Sequence, residues 1–397
     1  MPALQQRYGG LLDRLQASLS SRRVNGKLRT LLEADDGLID FASNDYLGLS
    51  RSSHLAKRIE AEYSKFLKTA RPNTPLLGST GSRLLTGNSG LLKGLETHIA
   101  SFHGFRHCLL ANSGWDLNYG ICSSVPSGDT VVLFDELSHN SLVMGLRASR
   151  GRQLVPFRHN SMDDLSSKMV GLGEDVEKLI VVETVYSMDG DVCPVDELLQ
   201  IAEANDALVL VDEAHSFGIL GAKGEGLVSS LGLQDSGSLL GVVFAYGKAG
   251  GYHGAALLTQ HDCLPQSLLN YSRPLIYSTA MPIHSTFALR ACYDEVEGAS
   301  EGRERLRELI EAFRFECDSR RLQVMDSSSP IQGVIVSGND RVKRAVAELR
   351  RSGFSCLAIR APTVPEGKER IRIILHAHNS LEEVAGLCQA LEKVINR

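Results

Sequence analysis

The sequence predicts an α/β protein: a large domain on a mostly parallel central sheet, then a smaller α+β domain. Three observations carry this reading. Six short apolar runs, Cys108–Ala111, Val131–Phe134, Leu179–Glu183, Ala207–Asp212, Leu239–Phe244 and Ala255–Leu258, are interleaved with helical stretches. The runs are continuous, as strands covered on both faces tend to be. After Pro282 the pattern changes to long helical segments with two or three short strands. The third is size: 397 residues, 43% of them hydrophobic, can bury the core of a large domain plus a smaller one.

The elements come in this order. Residues 1–45 read as a helix and a short strand, Leu38-Ile39-Asp40-Phe41. Leu11, Leu12, Leu15 and Leu19 fall on one face of that helix. Arg7, Arg14, Arg22 and Arg23 stand against one acid, Asp13, a bias that mitochondrial transit peptides share. An amphipathic helix of the mature protein is the reading adopted. Residues 46–285 form the large domain. It opens with helical and loop segments, the glycine-rich stretch Gly78-Ser79-Thr80-Gly81-Ser82-Arg83 and a helix over about Ser89–Phe102. Residues 286–397 form the smaller domain. One long helical segment over about 285–323 leads to a strand at Ile331–Val336 and a charged helix near 340–352. Strands at Cys356–Ile359 and Ile371–Leu375 and a helix from Leu381 complete it. No Pro-rich linker separates the two, so they are expected to be tightly joined.

Composition excludes several classes. The net charge is −5 without a basic block, which speaks against nucleic acid or a membrane surface as partner. No apolar run reaches membrane-spanning length, and no signal-peptide core opens the chain. The eight cysteines form no Cys-x-x-Cys pair, so neither a zinc ribbon nor a thioredoxin-type motif is expected. They read as reduced thiols of a cytoplasmic enzyme. No metal site is expected: Met188-Asp189-Gly190-Asp191 lacks the spaced oxygens of a calcium loop.

The chemistry is concentrated at strand ends. Lys248 lies in Ala245-Tyr246-Gly247-Lys248-Ala249-Gly250-Gly251, where glycines permit close approach of a ligand. Upstream, the run Ala207–Val211 ends in Asp212-Glu213-Ala214-His215. An acid closing an apolar strand is costly without a partner, and a protonated pyridine nitrogen is one. A lysine forms a Schiff base with an aldehyde cofactor, so the pair points to pyridoxal 5'-phosphate (PLP). A ribose-binding acid is the competing reading, but no Gly-x-Gly-x-x-Gly precedes Asp212. Asn112-Ser113-Gly114-Trp115 comes after a strand and opens a helical stretch, Asp116–Cys122. Its amides suit a phosphate, although an ordinary βα turn looks the same. Trp115, the single tryptophan, otherwise reads as a buried core aromatic. His139 stands just past the strand Val131–Phe134, on the side where such sheets bind ligands, and its ring suits stacking on a pyridine. Ser187, past Leu179–Glu183, offers a hydroxyl to a cofactor oxygen.

Together these segments resemble the α-oxoamine synthases, PLP-dependent acyltransferases of fold type I. The likeness runs from Phe41-Ala42-Ser43-Asn44-Asp45-Tyr46-Leu47-Gly48-Leu49 to Arg360-Ala361-Pro362-Thr363-Val364-Pro365. It includes Gly78–Gly87, Tyr186-Ser187-Met188-Asp189-Gly190-Asp191, Asp212-Glu213-Ala214-His215 and Tyr277-Ser278-Thr279-Ala280-Met281-Pro282. The resemblance implies a large domain and a small one, as in aspartate aminotransferase, and a role for each matching residue. Lys248 would hold the cofactor, Asp212 its ring nitrogen, and His215 and Ser187 its phenolate oxygen, with His139 stacked on the ring. Gly114 and Trp115 would take the phosphate, helped across the interface of a homodimer with shared active sites by Ser278 and Thr279. Arg360, Thr363 and Asn44 would bind substrate, with Arg22 or Arg23 as a further candidate. One position departs: the family has Thr or Ser three residues before the lysine, and here Ala245 stands there.

The implied reaction condenses an amino acid with an acyl-CoA or acyl-carrier-protein thioester, losing the amino acid's carboxylate. The spelling is nearest to the members that join L-alanine to a pimeloyl thioester in biotin synthesis. Members of the 5-aminolevulinate synthase, glycine C-acetyltransferase and serine palmitoyltransferase types share the core motifs. A non-catalytic partner subunit and an aminotransferase on the same fold are the alternatives of another class.

Overall fold

The computed structural model describes residues 2–31, 37–173 and 175–395. Helix α1 (Pro2–Val24) leads to β1 (Ile39–Asp40), α2 (Ser53–Thr69) and α3 (Gly90–His103). Ser52 and Ser89 cap the last two, accepting the amides of Leu55 and Leu92 at 3.2 Å each. The large sheet is threaded as β2 (His107–Ala111), α4 (Gly114–Ser124), β3 (Thr130–Asp135), α5 (Asn140–Ala148), β4 (Gln153–Phe157) and α6 (Met162–Val170). It continues through β5 (Glu177–Glu183), α7 (Val195–Ala204), β6 (Ala207–Asp212), α8 (Leu227–Ser230), β7 (Leu239–Ala245) and β8 (Ala255–Thr259). Helices α9 (Cys263–Tyr271), α10 (Arg273–Tyr277), α11 (His284–Gly298) and α12 (Ser300–Ser319) come next. The chain closes with β9 (Ile331–Ile335), α13 (Asn339–Arg351), β10 (Phe354–Ser355), β11 (Leu357–Ile359), β12 (Arg370–Ile374) and α14 (Leu381–Ile395).

The seven-stranded sheet has the order β2-β8-β7-β6-β5-β3-β4. Strands β7, β6, β5, β3 and β4 run parallel, as expected for a mostly parallel sheet. Strand β8 is antiparallel to both neighbours. Its apolar run could not show this, but the link 246–254 is too short for a parallel crossover. Strand β4 escaped the sequence reading because it lies at the edge and carries Pro156. Helices on both faces bury the sheet: Leu133, Ile180, Val209 and Val242 pack on one side, Val132, Val181, Leu210 and Val243 on the other.

A second core gathers Leu309, Phe313, Val334, Val342, Ile371, Ile373 and Leu391 around the sheet β11-β12-β9. Phe41 is fully buried in it, and β1 pairs with β10, so the end of the N-terminal segment is sewn into the C-terminal layer. The long helix expected over about 285–323 is two helices, broken at Ala299. On α1 the leucines do not pack within the chain: Leu11, Leu12, Leu15 and Leu19 are each just over half exposed. No helix among the described residues is long and apolar enough to cross a membrane.

Candidate active site

Four neighbouring parallel strands, β7, β6, β5 and β3, end on one edge of the sheet. Lys248 lies just past β7, Asp212 ends β6, Glu183 ends β5 in register with Asp212, and His139 lies just past β3. Ligands of open α/β sheets bind at such carboxyl ends. The residues also sense one another. Burial brings the Lys248 amine down to about 8, against the pull of Asp212 and Glu183, with Arg372 lowering it further.

Asp212 is buried, with its oxygens taken by Asn118 Nδ2 at 2.6 Å and the Ala214 amide at 2.9 Å. These donors orient a carboxylate that has no ion pair of its own among the described residues. A buried charge of that kind needs a cation, and a protonated ring nitrogen supplies one. Burial and the nearby Asp212 raise the Glu183 carboxyl well above the usual range. Its Oε1 accepts the His139 amide at 2.5 Å and so ties the β3 loop to β5. His139 itself caps α5, with Nδ1 2.7 Å from Ser141 Oγ.

His215 is held neutral by burial and by the cations Lys248 and Arg372. Its Nδ1 lies 2.6 Å from the hydroxyl of Tyr46, which is fully buried. The Arg372 guanidinium acts on the Tyr46 phenol as a nearby cation. Arg372 further donates to the Ser187 carbonyl at 2.7 Å and to Asn44 Oδ1 at 3.1 Å.

The phosphate cradle would lie at the start of α4. Ser113 caps Asp116 at 3.1 Å, and the amides of Gly114 and Trp115 precede the first intrahelical bonds, as helix geometry requires. A Cβ on Gly114 would lie 3.0 Å from the Ala245 methyl, so any side chain there would press on β7. Trp115 is not a core aromatic: it is 46% exposed and stacks on Tyr119 at 5.0 Å. An anion-accepting helix start, a cation-seeking carboxylate and a lysine of lowered pKa fit PLP.

The sequence-predicted residues divide here. Lys248, Asp212, His215, His139, Ser187 and Asn44 share this neighbourhood. Thr279 approaches the α4 start, its carbonyl accepting Asn112 Nδ2 at 2.8 Å, and Ser278 lines a small cavity there. Arg360 lies apart, donating to the Gly26 carbonyl just past α1, and Thr363 is close behind it, its amide bonded to the Arg360 carbonyl at 2.8 Å. The arginine whose charge acts on Lys248 is Arg372, which the sequence reading missed. A signal existed: Arg370 and Arg372 alternate on an otherwise apolar strand and both are buried, which arginine rarely is without a partner. Tyr46, Asn118 and Glu183 were also given no role.

Position 245 carries one prediction. It faces Gly114, so the missing hydroxyl is missing at the cradle. Ala245→Thr is expected to tighten PLP by the worth of one hydrogen bond to a charged group, about 1.5–3 kcal/mol or roughly tenfold and more. Titration of the apoprotein with PLP reads this directly, and an unchanged Kd would mean another donor fills the place.

Fold and site together are those of a PLP-dependent transferase of fold type I. Residues 36–391 match the aminotransferase class I and II family, and the chain belongs to it, in its α-oxoamine synthase branch. An 8-amino-7-oxononanoate synthase from Emericella nidulans is 38% identical, over 98% of this chain and 96% of that protein. The solved 8-amino-7-oxononanoate synthase from Francisella tularensis is 26% identical, with a TM-score of 0.76, over 91% of this chain and 99% of that one. A serine palmitoyltransferase from S. paucimobilis, solved with bound PLP, has a TM-score of 0.85 over 99% of both chains; at 24% identity it speaks for the fold.

Proposed function

We propose that the chain joins L-alanine to a pimeloyl thioester, carried on CoA or on an acyl-carrier protein, releasing the thiol and CO2 and giving 8-amino-7-oxononanoate for biotin synthesis. The observation that carries this is the near full-length likeness to 8-amino-7-oxononanoate synthases on a site that keeps Lys248, Asp212 and His215. The carbon count agrees. A seven-carbon diacid and a three-carbon amino acid, less one carboxylate, give a nine-carbon acid, with the ketone at the former thioester carbon and the amine beside it.

The residues divide the work. PLP, when bound, supplies the aldehyde that captures amino groups and a ring that accepts the electron pair left on the α-carbon. Lys248 holds the cofactor, and its released amine takes the α-proton at Nζ and later returns one. Asp212 keeps the proton on the ring nitrogen, and Asn118 keeps Asp212 aimed. His215 and Ser187 would hold the phenolate oxygen, His139 would stack on the ring, and Gly114 and Trp115 would receive the phosphate. Arg372, with Asn44, is the carboxylate partner we favour over Arg360, because its charge reaches Lys248. Arg360 and Thr363, next to the segment just past Arg22 and Arg23, are left for the thioester's distal carboxylate.

The test is a matrix of alanine, glycine and serine against pimeloyl-, succinyl-, acetyl- and palmitoyl-CoA, monitoring CoA release. Alanine with the pimeloyl donor is expected to give the highest kcat/KM. Silence of every pair in PLP-loaded protein would make it a partner subunit.

The working unit proposed is a homodimer in the cytoplasm, with Ser278 and Thr279 serving the neighbour's phosphate. Hydrogen bonds from Ala280 to Gly81 and from Ser79 to Met281 join the glycine-rich loop to this segment. Around the join Leu77, Leu85 and Tyr277 are each more than three-quarters exposed, a patch that favours a covered interface. Sedimentation at assay concentration should show a dimer; a fully active monomer would refute sharing.

A further inference from the structure

The proposed chemistry leaves one partly buried cluster unused. His159, in the link between β4 and α6, stands between two carboxylates. Its Nδ1 lies 2.9 and 3.1 Å from the two oxygens of Asp135, and its Nε2 lies 2.7 Å from Asp191 Oδ2. Carboxylates accept only, so both ring nitrogens carry protons and the ring is a cation. Burial works against that charge, but the hydrogen bonds to Asp135 and Asp191 outweigh it and push the pKa up to about 10. The ring stands edge-on to Tyr186 at 4.4 Å and 89°, which leaves it little freedom.

The carboxylates belong to two different site loops. Asp135 ends β3, fully buried, and its oxygens also accept the amides of Leu137 at 2.8 Å and Asn160 at 2.9 Å. The turn it organises, closed by Ser138 N to the Asp135 carbonyl at 2.9 Å, delivers His139. Asp191 closes the turn after β5: Tyr186 N bonds its carbonyl at 3.1 Å, and Ser187 lies inside that turn. Asn160 Nδ2 adds a second bond to Asp191, at 2.6 Å. The same turn carries Asp189, paired with Arg370 of β12.

We propose that His159 is a positioning residue: bridging Asp135 and Asp191, it locks the loop that presents His139 to the turn that presents Ser187. It touches neither cofactor nor substrate. The inference rests on the PLP reading of the site but not on the choice of amino acid or thioester. Without the bridge the buried Asp135 and the partly buried Asp191 lose a shared counter-ion and repel, and the two loops part where the cofactor ring would be held.

The test compares the parent with His159→Gln, a neutral amide that cannot supply the counter-charge, and Asp191→Asn, which keeps the hydrogen-bond geometry without the charge. Each is loaded with PLP and read by induced circular dichroism of the visible cofactor band, PLP affinity, and kcat per bound PLP. For His159→Gln the induced signal is expected to fall by at least about half, and kcat to drop about tenfold, a misplacement effect, while KM for the amino acid changes little. Asp191→Asn should move the same way by less, and it stands in if the first variant does not fold. A purely structural role would lower Tm and leave signal and kcat per bound PLP within about twofold of the parent; that result in both variants overturns the proposal. The induced signal needs no substrate. A parent inactive with every thioester would therefore defeat the functional reading and still leave this one tested.

Discussion

Borohydride reduction of the PLP-loaded protein is expected to fix a pyridoxyl label on Lys248, and Lys248→Ala to lower turnover by about 10²–10⁴-fold, the usual worth of a positioned proton-transfer group. The reasons are geometric and electrostatic. Lys248 lies directly past β7, beside the strand that ends in Asp212. Only the neutral amine attacks an aldehyde, and an ordinary exposed lysine is almost wholly protonated at neutral pH. Desolvation brings Lys248 to about 8, so a useful fraction is neutral there. The pH effect therefore has a definite sign: covalent attachment of PLP to apoprotein should quicken as pH rises and level off above about 8. Peptide mapping that finds the label on another lysine would sink the assignment.

The second large effect is expected at Asp212. Asp212→Asn preserves size and one hydrogen-bonding oxygen but removes the charge that holds a proton on the ring nitrogen. Loading at saturating PLP should survive, because the Lys248 bond and the α4 cradle remain. Turnover of loaded protein should fall about 10²–10³-fold, the scale seen when one group that stabilises transition-state charge is removed. Asn118→Ala should act in the same direction but more weakly, since it leaves the carboxylate in place without the 2.6 Å bond that aims it. Near-normal turnover of loaded Asp212→Asn would contradict the role.

The strands that carry the site were legible because a strand buried on both faces must be a continuous apolar run, and because the residues just past each run are anomalous. An acid after Ala207–Val211, a lysine among glycines after Leu239–Phe244 and a glycine turn after Cys108–Ala111 each break a local expectation. Such breaks gather where function overrides folding. The continuous pattern does not encode strand direction, so β8 looked like its parallel neighbours; the link before it carried that information.

What the sequence by itself determined was the fold class, the order of the strand ends and the lysine–aspartate–histidine set, all local in the chain. What only the tertiary structure decided was which distant groups meet them. Arg372 is 124 positions beyond Lys248, and its place on an apolar strand marks it as unusual without saying what it meets; the register of β12 turns it toward Ser187 and Asn44, while Arg360 meets the Gly26 carbonyl. Tyr46 stands in sequence only within the stretch Phe41–Leu49, and it meets His215 only because the chain folds back over the sheet. His159 reads as a loop residue until three loops converge on it. Local pattern reports burial and period, whereas charge compensation is a property of space: a buried ion takes its partner from whichever strand end or loop the topology brings near.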